Sequence, residues 1–185
     1  MQHKNSLDLA GTSLVIIDMQ EAFRSVIPDF VETATRIEIV THAARLLGIP
    51  VIVTEQYPRG LGHTAAEIKA ELPSTQEIIE KTTFSSCGAN SFGAQLESNG
   101  TRQALVCGIE AHICVNQTTH DMLARGIQVH LLMDCITART AQNKHIGLAK
   151  MQASGALPSS IEMALFELMR DARHEKFKAI QKLVK

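Results

Sequence analysis

Tryptophan is absent from this chain of 185 residues, and tyrosine occurs once, at Tyr57. With aromatics at 4%, the stacking platforms that hold single-stranded nucleic acid have little to be built from. A charge of one sign is missing too. Lys and Arg number 18 and Asp and Glu 19, a net charge of -1, whereas a dedicated nucleic-acid-binding domain is strongly basic. No apolar run reaches the roughly 18 residues of a transmembrane helix. The opening MQHKNSLDLA lacks the apolar core of a signal peptide. The expectation is a soluble, cytoplasmic protein with no membrane partner, whose composition counts against nucleic acid. The four cysteines, Cys87, Cys107, Cys114 and Cys135, form no CxxC pair, which counts against a zinc knuckle. Without a sign of secretion no disulfide framework is expected. Gly60 and Gly62 in RGLGH do not make GxGxxG, so no dinucleotide cofactor is expected. Repeats, low-complexity stretches and linkers are absent. A single domain over 1–185 is expected, since a chain of this size buries about 70% of its unfolded surface.

What is present is apolar and punctuated. Four runs, SLVIID (13–18), PVIVTE (50–55), QALVCGIE (103–110) and IQVHLLMD (127–134), are rich in Val, Ile and Leu. Apolar residues at consecutive positions suit strands covered on both faces, as in a parallel sheet. EIIEK (77–81) reads as a weaker fifth strand and GALPSS, from Gly155, as a sixth. Between them, 31–48 places Ile37, Val40, Ala44 and Leu47 at helical spacing before Gly48, an amphipathic helix with a glycine stop. Residues 91–99 (capped by Ser91), 114–125, 144–154, 160–170 and 174–183 also read as helices. The alternation predicts a three-layer α/β/α sandwich around a mostly parallel, Rossmann-like sheet of about six strands.

Ligands of open α/β sheets sit beyond the carboxyl ends of the strands. There the sequence puts Asp18, Lys81, Cys114 and Asp134. Cys114 follows a strand and a short turn and opens a helix, whose free N–H groups and partial positive charge favour an anion. An effect of up to about 2 kcal/mol takes a thiol from about 8.5 to roughly 7. Asp18 beside it is a proton acceptor, and Lys81 balances the charge of both.

These residues resemble a known family. IIDMQ (16–20), KTTFSS (81–86), GIEAHICV (108–115), MDCITART (133–140) and GLAKMQASGAL (147–157) are similar to the isochorismatase-like cysteine hydrolases. VIVTEQYPRGLGHT (51–64) and KFKAIQKLV (176–184) resemble especially the eukaryotic isochorismatase-domain-containing proteins. The resemblance implies Asp18, Lys81 and Cys114 as a catalytic triad that hydrolyses amides through a thioester. It further implies a non-proline cis peptide at Ile109–Glu110, an oxyanion hole made by the backbone amides of Glu110 and Cys114, and a homo-oligomer. The family's nicotinamidases carry an Asp-x-His-Pro metal segment, where this chain has TEQYPRGLGH (54–63). Neither metal, other cofactor nor nicotinamide is expected here.

A second class of function stays open: a regulatory binding protein on the same scaffold. The tail holds Arg170, Arg173, Lys176, Lys178, Lys182 and Lys185 against Asp171 and Glu175, and a basic helix can contact RNA or an acidic partner. The first expectation remains a metal-independent cysteine hydrolase of a small amide or related C–N bond. Gln20, Phe23, Tyr57, Phe84 and His112 are expected on the wall of its substrate pocket. His112 and His120 with Cys114 lack a fourth ligand for zinc.

Overall fold

Strands that are apolar on both faces must be covered on both faces. The computed structural model, which describes residues 3–185, meets this demand with a six-stranded parallel sheet. Its strands are β1 (Thr12–Ile17), β2 (Val51–Gln56), β3 (Ile78–Lys81), β4 (Gln103–Gly108), β5 (Gln128–Ile136) and β6 (Leu157–Ser159). They lie in the order β3-β2-β1-β4-β5-β6, every neighbouring pair parallel. In β1 the side chains alternate between two cores. Leu14 and Ile16 join one cluster, Val15 and Ile17 the other. Each of these four is fully buried, and each such burial stabilises by about 1.5–3 kcal/mol.

The helices sort onto the two faces by the same clusters. The first core takes α1 (Phe30–Leu47), α3 (Ala66–Glu71), α7 (Ile161–Met169) and α8 (Phe177–Leu183), through Ile37, Ile68, Leu165 and Ile180. The second takes α4 (Asn90–Ser98), α5 (Cys114–Ala124) and α6 (Ala141–Ala153), through Phe92, Val115 and Met151. A single turn, α2 (Pro58–Leu61), lies between β2 and α3. This is the expected three-layer sandwich.

Several helix ends follow from local chemistry. Gly48 ends α1 in the left-handed region (φ 71), and its N–H reaches Ala44 and Arg45 carbonyls, a glycine C-cap. Thr140 and Ser160 cap α6 and α7 through their side chains. Ser91 does not cap α4, which starts one residue earlier behind Ala89 with no side-chain cap. Among the described residues no helix is long and apolar enough to cross a membrane. The strand order turns back between β1 and β4, so their carboxyl ends open the crevice where this class of sheet binds ligands.

Candidate active site

Asp18 is the first residue beyond β1 and has a left-handed backbone (φ 50), which Asp tolerates better than most side chains. Its residue is 2% exposed, so its carboxylate needs partners from the protein. Thr54 donates to Oδ1 at 2.7 Å and Lys81 Nζ to Oδ2 at 2.6 Å. Lys81 ends β3, and its ammonium also reaches Gln56 Oε1 at 2.8 Å and the carbonyls of Thr83 and Phe84 at 3.2 Å. Three N–H bonds thus meet four acceptors. The ammonium is held as a charge beside the pocket.

Cys114 reaches the same place from β4. Gly108 ends that strand at φ 114, and a Cβ there would lie 2.0 Å from the Ile17 carbonyl oxygen. Only glycine lets β4 pass so close to the end of β1. The Ile109–Glu110 peptide bond that follows is cis. Cys114 then opens α5. Among the described residues neither the Glu110 nor the Cys114 amide donates a hydrogen bond, so two residues that line the same cavity have unused N–H groups. The loop is closed from behind by α6, where Gly147 leaves no room for a Cβ against the Ala111 carbonyl.

The expected low thiol pKa does not hold. Burial pushes the Cys114 thiol up to about 12, the negative charge of Asp18 adds to the rise, and the Lys81 ammonium opposes it. Loss of water around a 7% exposed residue outweighs the helix end. At neutral pH Cys114 is therefore a neutral thiol, and any reaction through its sulfur would need a base.

A cavity of about 210 Å³ opens over this floor, lined by Asp18, Phe23, Gln56, Leu61, Phe84, Ile109, Glu110, Ile113, Cys114 and Arg139. Of the residues expected on its wall, Phe23 and Phe84 are there. Gln20 is fully buried, and its amide braces the chain through Gln56 and Gly62 backbone groups. Tyr57 lines a neighbouring cavity with Arg59, Glu80 and Thr83. His112 is not among the lining residues, and its Nδ1 is buried without a hydrogen-bond partner. His120 is engaged with the Asn116 carbonyl and Ser154.

Asp134 does not join the site either. The fifth strand runs on to Ile136, and the Asp134 carboxylate receives the Ile161 amide and faces Arg36 at 3.6 Å. The residue that arrives from this strand end is Arg139. Its backbone N–H and Nε donate to the Glu110 carboxylate at 2.9 and 3.1 Å. Glu110 is 5% exposed in its side chain, Arg139 55%. The same strand-end rule that found Asp18 finds Arg139 once the true end of β5 is known.

Near the end of β2, Glu55 accepts from Thr64 N–H and hydroxyl and from His63 Nδ1. Those contacts and its buried, lowered pKa mark an internal brace.

The isochorismatase domain model matches residues 12–163. Isochorismatase domain-containing protein 2 of Homo sapiens is 41% identical over 179 residues, covering 96% of this chain and 85% of that protein. Isochorismatase domain-containing protein 1 of Salmo salar is 38% identical over 176 residues, 95% of this chain but 62% of its own length. Among solved structures, the MAR1 ribonuclease from Caenorhabditis elegans superposes with a TM-score of 0.92 at 38% identity, covering 97% of this chain and 92% of that one.

Proposed function

The chain belongs to the isochorismatase family, and from that premise we propose that it is a metal-independent cysteine hydrolase of a small amide or related C–N bond. The observation that carries the reading is the meeting of Cys114 with Asp18 on the floor of one small cavity, where Asp18 is paired to the buried Lys81 beside it. Asp18 accepts the thiol proton as Sγ attacks the substrate carbonyl carbon. The oxyanion is received by the unused amides of Glu110 and Cys114. As the C–N bond breaks, Asp18 returns the proton to the leaving nitrogen. Water then attacks the thioester and gives its proton to Asp18. The acid leaves, and the proton restores the thiol. Lys81 keeps the charge of the site balanced throughout.

Pocket shape narrows the substrate. At about 210 Å³ it lies below the usual range for drug-sized ligands, about 300–1,000 Å³. Phe23, Leu61, Phe84, Ile109 and Ile113 make the apolar part of its wall, and Asp18, Gln56, Glu110 and Arg139 the polar part; the half-exposed guanidinium of Arg139 suits a carboxylate on the substrate. The test is ammonia release from a panel of small linear amides with and without a terminal carboxylate. Release that Cys114→Ala abolishes is expected. Release that survives Cys114→Ala would overturn the proposal.

A second reading follows from the name of the similar Caenorhabditis elegans protein, a ribonuclease, and from the basic tail. None of the tail's basic residues lines the Cys114 cavity. Arg173 and Lys176 are paired with Asp171 and Glu175. Oligoribonucleotide cleavage, or binding that weakens steeply with salt, would favour this reading over the first. We also read the protein as a homo-oligomer, on the resemblance and on Val31 and Met163, both more than half exposed. A sedimentation run showing only a 20.2 kDa species would sink that.

A further inference from the structure

The strand between the acid and the lysine belongs to neither, yet it touches both. In the sheet, β2 lies between β1, which delivers Asp18, and β3, which delivers Lys81. Thr54 is paired with Ile17 and Gln56 with Lys81. Residues two apart on a strand point to the same face. The Thr54 hydroxyl donates to Asp18 Oδ1 at 2.7 Å, and Gln56 Oε1 accepts from Lys81 Nζ at 2.8 Å. Both partners are fixed in turn. Thr54 is fully buried. The Gln56 side-chain amide donates to the Thr82 carbonyl, and its backbone is locked on both sides by Gln20.

We propose that Thr54 and Gln56 are positioning residues, a two-point clamp from the middle strand that fixes the Asp18 carboxylate and the Lys81 ammonium in reacting register. Neither has a proton to exchange with the substrate at neutral pH. Their effect passes through the pair. Without Thr54 the carboxylate loses the hydroxyl that holds Oδ1 and is freer to turn about its Cβ–Cγ bond. Without Gln56 the ammonium loses its uncharged side-chain acceptor and keeps, besides the Thr83 and Phe84 carbonyls, only Asp18 among the described residues. The charged and titratable groups facing Asp18 are Lys81 from β3 and Cys114 from α5, with Glu110 and Arg139 across the cavity. This inference rests on the reading of Asp18 as the base, so its test separates the two.

The probe is iodoacetamide, with alkylation of Cys114 followed by mass spectrometry across acidic to mildly alkaline pH. A thiol that hands its proton to Asp18 gives a rate that levels off once that carboxylate is ionised. Asp18→Asn is expected to abolish the plateau and leave a rate that climbs with pH. Thr54→Val is expected to keep the plateau and move its acid edge upward by about half to one pH unit, the worth of one hydrogen bond to the carboxylate. Thr54→Ser restores the edge. For Gln56 the readout is the ¹⁵N-edited ammonium signal of Lys81. Gln56→Met is expected to speed its exchange with water about fivefold or more, and Gln56→Glu to keep it slow. A Thr54→Val edge at the wild-type position, or unchanged Lys81 exchange in Gln56→Met, overturns the clamp. A plateau that persists in Asp18→Asn overturns the base assignment, while the Lys81 exchange still decides Gln56.

Discussion

Lys81 Nζ stands 2.6 Å from Asp18 Oδ2, and the two side chains are 0% and 3% exposed. A buried pair of this kind loses its water on both sides, so its net gain is small. Breaking it is another matter, because one charge is left behind without a partner. Lys81→Met is expected to cost about 3–5 kcal/mol. Asp18→Asn is expected to cost less, since the amide can still accept from the ammonium. The double variant should be more stable than the sum of the two losses predicts. Urea denaturation of the four proteins checks this. Additive losses would mean that the two groups do not depend on one another.

His130 predicts the acid limit of the fold. It lies 2% exposed on β5, where burial lowers its pKa to about 4. Its Nε2–H donates to Gln128 Oε1 at 3.0 Å, which suits the neutral ring. An unfolded histidine titrates near 6.5. The depressed value therefore stabilises the fold fully above that pH, and the contribution is lost as pH falls towards 4. The loss amounts to about 3 kcal/mol at 1.36 kcal/mol per unit. His130→Leu should flatten the stability profile between those two values. An unchanged slope by chemical denaturation at several pH values would show that another group governs acid unfolding.

Much of this was legible in the sequence, for physical reasons that differ by element. The long strands could be read because burial on both faces demands unbroken apolar runs, such as SLVII in β1. Asp18, Lys81 and Cys114 could be found because strand ends mark where such a sheet is open. Glycines and prolines obscured α2 and α3, whose residues 58–71 carry no sustained helical period. Arg139 was hidden because β5 runs two residues past Asp134. The thiol of Cys114 was misjudged because a helix end is a local feature, whereas desolvation depends on what the rest of the chain packs over it. Gln20 looked like a wall residue by position, but its amide is consumed by backbone groups 36 and 42 residues away.

Gly108 is the residue on which the juxtaposition of β1 and β4 depends. An added Cβ would stand 2.0 Å from a backbone oxygen, at a φ of 114 that side chains rarely adopt. Backbone cannot move aside as a flexible side chain can. Gly108→Ala is expected to destabilise by more than about 2 kcal/mol, through both clash and strain. Any folded fraction should carry Cys114 displaced from Asp18 and be slow in turnover. Gly100→Ala provides the comparison. It also has positive φ, but nothing lies within 4 Å of its Cβ position, so only the backbone cost remains. Equal melting temperatures for the two variants would contradict the close-approach argument.

Arg139 allows a prediction about substrate choice that leaves the triad untouched. Its backbone N–H and Nε are spent on Glu110, which orients the guanidinium at the cavity where Cys114 lies. A carboxylate on the substrate would meet the remaining N–H groups as a charged, paired hydrogen bond. Removing that contact should weaken binding in the ground state and the transition state alike. For an amide bearing a carboxylate, Arg139→Ala is therefore expected to raise KM by about tenfold or more, the scale of one charged hydrogen bond, with kcat nearly unchanged. Arg139→Lys should recover only part of this, because an ammonium cannot keep the fork that bonds Glu110 and substrate together. Uncharged amides of the same size should show little change in KM with either variant. Glu110→Gln offers a cross-check, since it loosens Arg139 without deleting it and should produce a smaller rise in KM. If Arg139→Ala lowered kcat as strongly as kcat/KM for charged and uncharged amides alike, the guanidinium would be acting on the reacting centre, and the carboxylate assignment would fail.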